Sequence, residues 1–126
     1  MSSGDAGMKL LKLVYVLRLI VALTAPPLLI LTIAMILSGY ALMAPQTTYE
    51  FFRIGYGEGV VVHSTPIIRF GFVFLALLHG WAGTLVLMLP RLVRAGRVVL
   101  AYMSLFILTI VVLYFLVPLL AVELSK

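Results

Sequence analysis

Two histidines and no cysteine set the coordination chemistry open to this chain. His79 lies inside an apolar run, PIIRFGFVFLALLHGWAGTLVLML, that fills residues 66–89. At about 1.5 Å per residue such a run makes a helix of roughly 36 Å, enough to cross a hydrocarbon core of ~30 Å. His79 therefore falls near the middle of a membrane. An imidazole at that depth has no water to bond and needs a partner, which makes it a functional candidate. It can ligate a metal or a haem iron through one nitrogen while an acceptor orients the other. Three roles are open on these residues alone: haem ligation, a packing hydrogen bond to a neighbouring helix, and a proton relay.

Residues four and eight positions away share the helical face of His79: Leu75, Gly71 and Gly83. The two glycines, extended by Gly80, leave a shallow notch that fits a flat macrocycle or another helix backbone. His63 lies just before the run, about 20 Å along the axis from His79. Two axial ligands approach an iron from opposite faces, so these histidines cannot share one haem. A second ligand must come from another chain, which makes the protein part of a hetero-oligomer. His63 itself reads as an ordinary loop residue. Arg69, one turn inside the run, either snorkels to the headgroups or pairs with a haem propionate. Trp81 reads as lipid or subunit packing.

The elements that must hold these residues are membrane helices. Of the 126 residues 64% are hydrophobic and 10% charged, far from the composition of a soluble protein. Nine basic against four acidic residues give +5, an excess that topology alone explains, so nucleic-acid binding is not implied. Without cysteine, disulfides, thiolate-bound zinc and cysteine-ligated iron–sulfur clusters are excluded, and the redox compartment is left open. The composition and length predict one all-α integral membrane domain over residues 1–126 with three crossings. The first covers about residues 19–43, preceded by an interfacial segment carrying Lys9, Lys12 and Arg18; residues 1–7 read as disordered or packed on another subunit. A signal peptide would begin similarly, but the apolar stretch runs on to Ala44, which favours a retained helix. Pro26 and Pro27 predict a bend within it. Residues 44–65 read as loop, marked by Gly55, Gly57 and Gly59, with a short interfacial helix at residues 48–54. The second crossing, residues 66–89, opens with Ser64 or Thr65 as cap and Pro66, and ends before Pro90. The third covers about residues 98–120.

Lys9, Lys12, Arg18, Arg91, Arg94 and Arg97, six of the nine basic residues, fall on one side of a three-crossing chain. The positive-inside rule then gives an up-down-up topology with a cytoplasmic N-terminus, Arg53, Arg69 and Lys126 lying toward the other side.

Residues 77–116, LLHGWAGTLVLMLPRLVRAGRVVLAYMSLFILTIVVLYFL, resemble the second and third helices of the small haem-binding membrane anchor of succinate dehydrogenase (respiratory complex II). That family carries His, often a Trp two residues on, then Gly; here these are His79, Trp81 and Gly83, separated by Gly80 and Ala82. Thr48, Tyr49 and Glu50 before the second helix are similar to bacterial members. The resemblance implies that His79 is an axial ligand of haem b shared with a second membrane anchor, Gly71 and Gly83 allowing close approach. It implies that an iron–sulfur protein and a flavoprotein of the same complex dock on the arginine-rich side, that quinone is reduced near that surface, and that the membrane is the inner membrane of a prokaryote. The family's Asp-Tyr pair 11 and 12 residues after the histidine is replaced by Pro90 and Arg91, so the quinone-contacting Tyr is missing and Arg91 is a substitute donor. The competing reading is a structural small subunit of another respiratory complex, without a cofactor. A transporter is disfavoured by the lack of intramembrane acids and of an internal repeat.

Overall fold

The structure, a computed structural model, describes residues 3–124. Five helices follow one another: α1 Ser3–Met43, α2 Pro45–Phe52, α3 Tyr56–Ser64, α4 Pro66–Arg94 and α5 Val98–Leu124. Three of them, α1, α4 and α5, are long and apolar enough to cross a membrane. A three-helix membrane architecture is thus present. The expectations that fall on Met1, Ser2 and Lys126 lie outside the described residues.

The register of α1 against α4 is antiparallel. Gly7 lies against Val93, Thr24 against His79 and Leu31 against Gly71, so each step up α1 is a step down α4. α5 returns antiparallel to α4, with Trp81 bonded to Thr109 and Arg69 sharing a cavity with Leu119. Leu10, Val14 and Leu17 of α1, Ala82, Leu85 and Leu89 of α4, and Ala101 of α5 form the buried core at the arginine-rich end. Of the six basic residues expected on one side, Arg18 and Arg94 meet around one cavity at this end.

Several boundaries differ from the expectation. Residues 3–7 are helical, and α1 has no break between an interfacial segment and a crossing: 41 residues continue through Pro26 and Pro27. At ~1.5 Å per residue that is about 62 Å, twice a hydrocarbon core. The prolines lack the amides that would bond the carbonyls of Ala22 and Leu23, yet the helix is continuous through them.

Residues 44–65 are not loop but two short helices. Gly57 and Gly59 both sit inside α3, and at Gly59 α3 lies tightly on α1: a Cβ there would fall 2.8 Å from Ala41 Cβ and 3.1 Å from the Ser38 carbonyl. Close helix approach, rather than chain reversal, explains that glycine. The Glu58 carboxylate accepts the Gly55 amide at 3.0 Å and fixes the start of α3. Between α2 and α3 the chain turns at Arg53, whose backbone is left-handed (φ 59°).

α4 likewise passes Pro90 and ends at Arg94. Its terminus is set by a Schellman turn: the Gly96 amide bonds the Val93 carbonyl at 3.0 Å and the Arg97 amide the Leu92 carbonyl at 2.9 Å. Gly96 has φ +73°, the left-handed conformation this turn requires. A stop signal seven residues past Leu89 overrides the single amide lost at Pro90.

Candidate functional site

His79 lies well inside α4, about 20 Å from Pro66 at the helical rise. Its Nδ1 is 2.9 Å from Oγ1 of Thr24 on α1. Thr24 is 7% exposed, and its hydroxyl also lies 2.8 Å from the Ile20 carbonyl and 3.3 Å from that of Val21. The hydroxyl has one proton. Donated to the carbonyls of its own helix, it leaves Oγ1 as acceptor for an Nδ1–H of His79. Neutral imidazole has one N–H, so Nε2 then carries a free lone pair. His79 makes no other hydrogen bond among the described residues.

The glycines around His79 divide. A Cβ on Gly80 or on Gly83 would meet nothing within 4 Å, so this part of the helix surface is open. A Cβ on Gly71 would lie 3.8 Å from Leu31 Cδ1, an ordinary contact, so Gly71 serves the α1–α4 seam. A single imidazole on a helix whose surface is open at Gly80 and Gly83 suits a planar macrocycle, and the residues present fit a haem on that count. Among the described residues no three His, Cys, Asp or Glu side chains gather as a metal-binding group.

The other predicted residues are dispersed. Arg69 lines a cavity of about 300 Å³ with Phe70, Phe72, Val73, Met35 and Leu119, ten residues from His79 toward the opposite end. Arg91 is exposed in the last turn of α4. Trp81 donates from Nε1 to Thr109 Oγ1 at 3.2 Å, tying α4 to α5.

Two features escaped the sequence. His63 is not a loop residue: it occupies the last turn of α3, its Nδ1 3.2 Å from Ser38 Oγ, whose hydroxyl lies 3.0 Å from the Met35 carbonyl. The arrangement repeats that of Thr24 and His79. The signal available was Ser38, a hydroxyl in the apolar second half of α1. Second, Arg18 and Arg94 line one small cavity of about 170 Å³ together with Tyr15, Pro90, Leu11 and Val14. The antiparallel register unites them, and no local motif announces it.

Comparison with known protein families, characterised proteins and solved structures finds no match for this chain.

Proposed function

We propose that this chain is a membrane anchor of a succinate:quinone oxidoreductase in which His79 supplies one axial ligand to a haem b, the other coming from a second membrane anchor in the same complex. The observation that carries the reading is the state of His79: Nδ1 is engaged by Thr24, no hydrogen bond reaches Nε2 from the described residues, and the helix surface at Gly80 and Gly83 is open. The resemblance of His79, Trp81 and Gly83 to the family motif, and the three long apolar helices, support it from the sequence side. Haem b, when bound, supplies one-electron transfer. The chain's part is to fix the imidazole, leave room for the macrocycle, and keep both within apolar helices.

On this reading the arginine-rich end faces the cytoplasm of a prokaryote and receives the iron–sulfur and flavoprotein subunits. Quinone binds near the same end. Arg91 remains a candidate donor, and Arg18, Arg94 and Tyr15 offer donors around one cavity where Arg91 does not reach. Arg69 is too distant along α4 to share a group with His79 unless the propionates extend toward its end.

A second reading is favoured by the same hydrogen bond. Thr24 satisfies one ring nitrogen, as expected of a packing histidine in a structural subunit without a cofactor. The two readings part in a dithionite-reduced minus oxidised visible spectrum of the complex purified through this chain. A b-type band in wild type, lost or displaced in His79→Ala, supports ligation. An intact complex with no such band leaves the structural reading, and a complex that lacks a flavoprotein removes succinate as donor.

A further inference from the structure

We infer that Thr24 is a positioning residue for His79: it selects the Nδ1–H tautomer and, through that hydrogen bond, lowers the reduction potential of the iron that His79 ligates. The second clause rests on the haem reading above; the first does not.

The selection follows from counting protons. A threonine hydroxyl donates once. On α1 two carbonyls compete for that proton, Ile20 at 2.8 Å and Val21 at 3.3 Å, and both belong to the rigid backbone that carries Thr24. With the proton so committed, Oγ1 presents only lone pairs to Nδ1 at 2.9 Å, and the ring must donate. Thr24 is 7% exposed, so water does not offer a substitute acceptor. The competing tautomer, with hydrogen on Nε2, would require the Thr24 hydroxyl to turn its one proton away from the Ile20 and Val21 carbonyls and onto Nδ1, and would block the nitrogen available to iron.

The effect on potential follows from the same bond. An acceptor on the outer N–H of a ligating imidazole increases the basicity of the ligating nitrogen. A more basic ligand stabilises ferric over ferrous iron, which lowers the potential. The acceptor here is a neutral hydroxyl, not a carboxylate, so the setting is moderate. Thr24→Val keeps the volume and removes the acceptor, whereas Thr24→Ser keeps it.

Two measurements test this. In the full chain reconstituted in lipid, ¹⁵N spectra of the imidazoles are expected to show His79 protonated at Nδ1 and bare at Nε2, the pattern kept in Thr24→Ser and lost or mixed in Thr24→Val. A wild-type chain with hydrogen on Nε2, or an unchanged pattern in Thr24→Val, overturns the tautomer assignment whether or not haem is present. In the purified complex, redox titration of the b band is expected to give a higher midpoint potential for Thr24→Val, with Thr24→Ser near wild type. Equal potentials in all three overturn the second clause. A wild-type complex with no b band defeats the haem reading and that clause together, while the imidazole spectra still decide the first.

Discussion

Gly57 and Gly59 stand two positions apart in α3 and meet opposite surroundings. A Cβ on Gly57 would touch nothing within 4 Å, whereas one on Gly59 would press on Ala41 and the Ser38 carbonyl. Gly57→Ala is therefore expected to stabilise the protein by up to about 1 kcal/mol, the helix-propensity difference. Gly59→Val is expected to cost roughly 1–3 kcal/mol, since its larger side chain must push α3 off α1. Thermal unfolding in detergent reads both, and equal shifts in the same direction would contradict the α1–α3 contact. The candidacy of His79 rests on the sequence, because a lone imidazole in an apolar run of membrane length has few roles. Its partner Thr24 was not legible there, since a threonine in an apolar helix ordinarily bonds its own i−4 carbonyl, as Thr24 also does. The pairing exists only once α1 and α4 are in register, and the same dependence on helix register holds for His63 and Ser38.

At the scale of elements, the membrane-length helices could be read from hydropathy and their ends could not. Pro90 looks like a stop and is passed, because the decisive turn is built at Gly96, where amides from Gly96 and Arg97 cover the last carbonyls of α4. Gly96→Ala places a Cβ at φ +73° and is expected to cost about 1–2 kcal/mol, with Gly96→Asn milder. Chemical unfolding in mixed micelles checks the order of the three. Glycines 55, 57 and 59 looked like one loop because composition does not distinguish a glycine that turns the chain from one that lets two helices touch. Of these, only Gly55 lies outside the helices, capping α3 through Glu58.

For the whole molecule, the most apolar stretch of α5 buries none of its residues within the chain. That surface is left to lipid or to the proposed second membrane anchor. The absence of native cysteine makes the orientation directly measurable. With the arginine-rich end cytoplasmic, Ala95→Cys is expected to react with an impermeant maleimide only from the cytoplasmic side, and Thr47→Cys only from the other; both positions are exposed. Labelling of both from one side would overturn the three-crossing topology. One further consequence belongs to α1 as a rigid body. Thr24 and Ser38 are 14 residues apart, about 1,400° of helix and so only about 40° short of four full turns, which puts them on one stripe. Each contacts a histidine on a facing helix, His79 on α4 and His63 on α3, about 21 Å apart along the same rod. Any rotation of α1 about its own axis would carry Thr24 and Ser38 the same way, so the geometry ties the two contacts to a single rotational setting of the helix.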